Sequence, residues 1–208
     1  MGTQLADSPA IAGRREERKA ENREKLLAAA RRVFAEKGLG EATARDIVRE
    51  TDLATGTFYN YFDSKEDAFR ALLGEFADKA RAAVREQRGR PGTTLEQRIH
   101  DAYCAYFELA VADAELFAVL RRNAGVIAMM PDEGLFETGV EELFADLVDW
   151  AREGEIRRVD FDYLATAMVG TGFQVATHLV ERRPPDVHAA ATFCTALFMG
   201  GIPDLPAG

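Results

Sequence analysis

Residues 55–62, TGTFYNYF, crowd hydroxyl, amide and phenyl groups into eight positions. The Tyr59 and Tyr61 hydroxyls suit phosphate oxygens, and Thr57 and Asn60 suit base edges or thymine methyls. Gly56 has no side chain, so a nucleic-acid backbone can come close to it. Lys65 falls in the first turn of the next helix, where free backbone N–H groups also favour an anion. On a short helix Phe58 and Phe62, four apart, share one face and point into a small core with Val33 and Ile47. Two rings then hold the segment down, and the remaining side chains are left for a polyanion.

A segment this short needs a scaffold. Ala, Leu, Glu and Arg dominate the chain, and period-2 runs of β-branched residues are absent, which predicts an all-α protein. Leu26, Ala30, Val33 and Phe34 recur at helical spacing and predict a first helix over about 17–37, stopped by Gly38 and Gly40. Thr43 reads as the N-cap of a short helix, ARDIVRE, with Ile47 and Val48 on its apolar side. TDLATG is a turn, TGTFYNY a third short helix, and a long fourth runs from the Asp63-Ser64 cap to Gln87. RGRPGTT then breaks the chain, and Thr93 with Glu96 reads as a capping box. Further helices are expected over about 114–129, 132–153, 161–183 and 186–201.

The charge pattern follows the same division. The chain carries −9 overall, yet residues 1–92 hold 18 basic against 16 acidic side chains, and residues 93–208 hold 8 against 19. A locally basic half on an acidic chain can still supply phosphate contacts. The stretch Arg14–Arg32 reads as a solvated helix face with an arm before it rather than as a specific reader. No apolar run reaches the roughly 18–20 residues of a membrane span, so no membrane partner is expected.

Helix, short helix, tight turn, short helix and long helix is the order of a helix-turn-helix. The segment ATARDIVRETDLATGTFYNYFDSKEDAFRALL resembles the DNA-binding segment of the TetR family of bacterial transcription regulators. Thr43, Ile47, Leu53, Gly56, Thr57, Phe58, Tyr59, Tyr61, Phe62, Ser64, Lys65 and Glu66 agree in register, over about residues 20–75. Asp52 stands where the family usually has the turn Gly, Ala54 where it has a capping Ser, and Val48 where Ala is common. Asp52 tolerates turn geometry, and Asp52 or Thr55 is expected to replace the cap. The resemblance implies phosphate contacts from Thr43, Tyr59 and Lys65, and base or nearby backbone contacts from Arg45, Thr55, Thr57 and Asn60.

Residues 93–208 carry no motif of that kind. H-E-x-x-H, G-x-S-x-G and phosphate-binding glycine loops are missing. Cys104 and Cys194 are read as buried, reduced thiols of a cytoplasmic protein without partners at metal-ligand spacing, and His100, His178 and His188 as structural or surface residues. No catalytic residue, metal or cofactor is expected. Tyr103, Phe107, Phe117, Met129, Phe136, Phe144, Trp150, Met168 and Phe173 are candidates to line a pocket between helices, with Arg121 meeting a polar head. Core packing competes for each apolar residue and a solvent-facing charge for Arg121, and the resemblance, whose members bind an effector among the C-terminal helices, favours the pocket. The last two helices are apolar over more than one stripe and need a second partner. The resemblance supplies one, a second copy paired through residues about 161–201.

The reading is therefore an all-α protein of about nine helices. It comprises a disordered arm (1–16), a three-helix helix-turn-helix DNA-binding domain (17–65), a connecting helix and linker (66–92), a ligand-binding and dimerisation domain (93–202) and a tail (203–208). Its expected function is a transcription regulator, a repressor that binds a palindromic operator as a homodimer and is released by a small, largely apolar effector. A constitutive DNA-binding protein without effector and an all-helical enzyme are the rivals; the enzyme lacks an acid/base cluster or activated nucleophile.

Overall fold

The computed structural model describes residues 9–127 and 137–201. Among these the fold is all-α: α1 (Pro9–Glu41), α2 (Ala44–Arg49), a 3-10 helix (Thr55–Asn60), α3 (Lys65–Arg88), α4 (Leu95–Ala112), α5 (Ala114–Arg122), α6 (Ala124–Ile127), α7 (Glu137–Arg152), α8 (Phe161–Leu179) and α9 (Val187–Gly201). The chain divides into two compact units, Met1–Leu72 and Leu73–Gly208, a division that falls inside the stretch read as connector.

In the first unit, Leu26, Ala30, Val33 and Phe34 of α1 are buried with Ile47 and Val48 of α2, and with Phe58, Phe62 and Phe69. Phe34 and Phe69 meet edge to face at 5.3 Å. Each such ring, fully buried, contributes roughly 1.5–3 kcal/mol. The helix of the expected range 17–37 starts earlier, at Pro9, so the arm expected over 1–16 is helical from there. Glu16 with Lys19 and Glu21 with Lys25 stand at i,i+3 and i,i+4, spacing that supports an exposed helix. Its regular part ends where predicted: Gly38 has φ 76°, a left-handed value that a β-carbon disfavours.

In the second unit α4 packs against α8 and α9, and α7 against α8. Ile99, Phe107, Phe117, Leu120, Leu147, Leu164, Met168, Ala176, Cys194 and Phe198 form its interior. The capping box of α4 sits one residue later than expected: Thr94 accepts from the Gln97 N–H at 3.2 Å, and Gln97 Oε1 accepts from the Thr94 N–H at 3.0 Å. Thr93 donates instead to the Arg90 carbonyl at 2.9 Å, closing the turn before the helix. No helix among the described residues is long and apolar enough to cross a membrane.

Candidate functional site

The helix-turn-helix begins at Thr43. Its hydroxyl accepts from the Asp46 N–H at 3.1 Å and donates to Asp46 Oδ2 at 2.7 Å, while its own N–H donates to the same carboxylate at 3.1 Å. The Thr43 hydroxyl, then Lys37 at 3.0 Å, hold the Asp46 carboxyl below the usual carboxylate range. The cap is therefore closed on itself, and Thr43 and Arg45 both face solvent. The turn that follows is held by Thr51, which donates to the Val48 carbonyl at 2.8 Å and accepts from the Leu53 N–H at 3.2 Å. Asp52 does not replace the missing cap. Ala54 occupies that position with no side-chain bond, and Asp52 pairs with Lys25 at 3.3 Å.

The recognition segment is a 3-10 helix. The Thr57 N–H bonds the Ala54 carbonyl at 2.8 Å, and the Tyr61 N–H bonds that of Phe58 at 3.0 Å. Its six residues exceed the three or four usual for that winding. Phe58 and Phe62 are buried with ring centres 5.6 Å apart, as the aromatic spacing predicts. Tyr59 is 63% exposed and stands edge-on to Phe58 at 5.4 Å. Asn60 and Gly56 are exposed, and Thr57 is half-buried. A β-carbon built at Gly56 meets nothing within 4 Å, so the fold itself does not require glycine there. Of Thr55 only the backbone is described.

Two expected contacts are placed differently. The half-buried Tyr61 hydroxyl accepts from Asn22 Nδ2 of α1 at 3.2 Å, a bond between elements that leaves its own O–H to donate. Lys65 does not point its ammonium outward. Nζ donates to the carbonyls of Leu39, Gly40 and Ala42 at 2.7, 3.0 and 2.9 Å. An ammonium has three donors, and all are spent on carbonyls left open where α1 breaks at Gly38. These three carbonyls compete for the ammonium with the phosphate contact expected of Lys65.

The second unit contains a cavity of about 150 Å³. Of the expected lining residues, Tyr103, Trp150, Met168 and Phe173 border it. Phe107 and Phe117 do not; both are buried in the helix core, Phe117 edge-on to Phe76 at 5.3 Å. Phe144 lies near the surface against Phe161, and the exposed Arg121 pairs with Glu181 rather than entering the cavity. Met129 and Phe136 lie outside the described residues. Sequence reasoning missed the α3 wall: Phe76, Ala80, Val84 and Arg88 recur every fourth residue and border the cavity with Arg81. Phe76, Ala80 and Val84 stand at helical spacing in the sequence, so this wall was readable there.

Arg88 is 8% exposed, 3.0 Å from Asp146 and 3.7 Å from Glu142. Burial pulls its guanidinium below the ordinary value and pushes the Asp146 carboxyl above its own, so desolvation outweighs the attraction within the pair. Arg88 Nε and Glu142 Oε2 are buried without a hydrogen bond of good geometry among the described residues. Tyr103 donates to the Met168 carbonyl at 3.0 Å, and burial pushes its phenol up.

On α8 and α9, Tyr163, Phe193 and Leu197 are 78%, 62% and 51% exposed, whereas Cys194 and Phe198 are buried. Small residues divide likewise. Ala167 and Gly170 are exposed, and Gly172 lies under Tyr103, whose Cε1 a β-carbon would approach to 3.1 Å. One expectation fails outright: a thiol does stand at a telling offset from a histidine, because His100 and Cys104 are four apart on α4, and His188 of α9 joins them.

A sequence profile described as "Bacterial regulatory proteins, tetR family" matches residues 26–72. The transcriptional repressor KstR2 of Mycobacterium tuberculosis (strain H37Rv) is 35% identical over 143 residues, covering 67% of this chain and 71% of the repressor. The uncharacterized regulator YvdT of Bacillus subtilis is 32% identical over 106 residues, 51% of this chain. The match spans 49% of YvdT and 65% of KstR2 of Mycolicibacterium smegmatis. The fatty acid degradation regulator FadR of Bacillus halodurans superposes with a TM-score of 0.74 at 24% identity, over 86% of this chain and 95% of its own. FadR of Bacillus subtilis, solved with stearoyl-CoA, superposes at 0.70 with 21% identity, over 86% of this chain and 98% of its own. The profile match over the helix-turn-helix and the repressor match over two thirds of the chain agree with the helix order, and the chain belongs to the TetR family of bacterial transcription regulators.

Proposed function

We propose that this transcription regulator is a repressor that binds an inverted-repeat operator as a homodimer and is released by a small apolar effector. The observation that carries the DNA-binding reading is the 3-10 helix. Tyr59, Asn60 and Gly56 are exposed on an element whose other side is anchored by Phe58 and Phe62. Thr43, which caps α2, and Arg45 within α2 are exposed, and α2 packs against the 3-10 helix. A symmetric dimer sets two such helices into successive major grooves roughly 34–36 Å apart.

Exposed Phe193 and Leu197 on α9 support the second copy, since large apolar side chains grouped on one helix face mark an interface. The cavity supports the effector. At about 150 Å³ it matches the size at which an apolar cavity takes up a benzene-sized guest. A chain as long as stearoyl requires the walls to move. Arg81, Arg88 and Glu142 among otherwise apolar lining residues favour a guest with one polar group on an apolar body. Because α3 supplies residues to both units, an effector that prefers one placement of α3 changes the spacing of the two recognition helices.

The test is recovery of genomic fragments by the purified protein, followed by titration in rising salt. A shared palindrome and a steep fall of affinity with salt support the reading. Fragments without a common inverted repeat, or affinity indifferent to salt, overturn it.

A further inference from the structure

His100, Cys104 and His188 bring two imidazoles and a thiol together at the junction of α4 and α9. Their donor atoms all lie within 4.8 Å of one another. Cys104 Sγ is 3.6 Å from His188 Nδ1 and 3.8 Å from each ring nitrogen of His100. The two rings are nearly parallel, at 14°, with centres 6.1 Å apart. In a tetrahedral zinc site with bonds of ~2.0–2.3 Å, neighbouring nitrogen and sulfur ligands stand about 3.6 Å apart. The sulfur–nitrogen separations match that spacing, and the three donors all stand within 4.8 Å of one another.

The surroundings fit a metal as well as the distances do. Asp101 Oδ1 lies 3.2 Å from His100 Nδ1, which orients the ring and leaves Nε2 for the ion, the carboxylate–histidine arrangement common around zinc. Cys104 is buried, His100 half-buried and His188 exposed, so the cluster has a dry base and a side open to solvent. One thiolate and two imidazoles suit zinc and other borderline-soft ions and disfavour magnesium or calcium, which take oxygen ligands.

We propose that His100, Cys104 and His188 form a zinc-binding site with three protein ligands and an open fourth position, fastening α4 to the start of α9. The site does not rest on the DNA-binding reading. On loading, the Cys104 S–H bond breaks and its proton leaves to solvent as the sulfur–zinc bond forms. Both imidazoles donate lone pairs while neutral. Burial, then the Glu108 and Asp101 charges, push the free thiol up to about 11, so zinc must displace that proton.

Cobalt(II) is the probe, because a thiolate–cobalt bond absorbs in the near ultraviolet and tetrahedral cobalt is strongly coloured. The reduced, chelator-treated full chain is expected to develop both signals, saturating at one cobalt per chain and bleached by zinc. Cys104→Ser abolishes the thiolate band, whereas Cys194→Ser and His178→Ala retain it. His188→Ala alters an exposed side chain and leaves the helical circular dichroism intact, so it keeps the test sound if the buried serine unfolds the protein. It is expected to weaken cobalt binding at least tenfold and to lose the rise in melting temperature that zinc gives the parent chain. No thiolate band in the parent, or binding and zinc stabilisation undiminished in His188→Ala, overturns the proposal.

Discussion

Lys65 Nζ donates to the Leu39 carbonyl across 2.7 Å, joining the first residue of α3 to a backbone oxygen 26 positions earlier. With the Gly40 and Ala42 bonds it turns a cation into an internal brace. Lys65→Met is expected to lower stability by about 2–3 kcal/mol, since hydrogen bonds from a charged donor are lost and the carbonyls are left open. The slope of DNA affinity against salt should stay as in the parent. A slope smaller by about one would instead identify a phosphate contact.

Tyr59→Phe removes one oxygen and keeps the ring against Phe58. Thermal unfolding should change by less than about 0.5 kcal/mol. Operator affinity should fall roughly tenfold, the worth of one hydrogen bond to a charged acceptor. Unchanged affinity would remove the tyrosine from the interface.

Gly56→Ala separates folding from recognition. The added methyl meets no atom of the protein within 4 Å, so the variant should be at least as stable as its parent. On DNA the methyl occupies the gap left for close approach, and affinity should drop by about tenfold or more, the equivalent of at least about 1.4 kcal/mol. Equal affinity in a titration would show that the duplex does not come near this position.

Phe193→Asp combined with Leu197→Glu places two charges on the exposed face of α9. Sedimentation should then show a monomer at concentrations where the parent is a dimer, with helicity retained. Operator affinity should fall because the two half-sites are no longer bound together. A dimer that persists would move the interface elsewhere.

Val84→Trp fills part of the cavity from α3. Overpacking is expected to cost about 1–3 kcal/mol. A lipophilic compound that raises the parent's melting temperature should lose that effect on the variant. DNA binding should persist and no longer respond to the compound.

The helix-turn-helix was legible because its signals are local. Phe58 and Phe62 repeat at helical spacing, Gly38 stops α1, and Thr43 sits three residues before Asp46, its partner in the capping box. What the sequence hid is long-range or lies in a missed continuation. The brace by Lys65 depends on carbonyls exposed only when the chain breaks at Gly38. Arg121 reads as a ligand contact until Glu181, 60 residues on, claims it. Arg88 reads as the first residue of the RGRPGTT break, because its burial is imposed by α7 through Glu142 and Asp146. The His100–Cys104 offset was visible, but its third member lies 84 residues beyond the thiol.

Tyr59 leans its ring edge-on to Phe58, which solvent never reaches. The outward residue takes its bearing from the hidden one. In a regulator built this way, trimming an interior phenyl to leucine re-aims the hydroxyl above it by whatever the smaller side chain lets the ring slide. Grip on an operator can then drift through changes confined to hydrocarbon, with every polar group of the reading surface still in place.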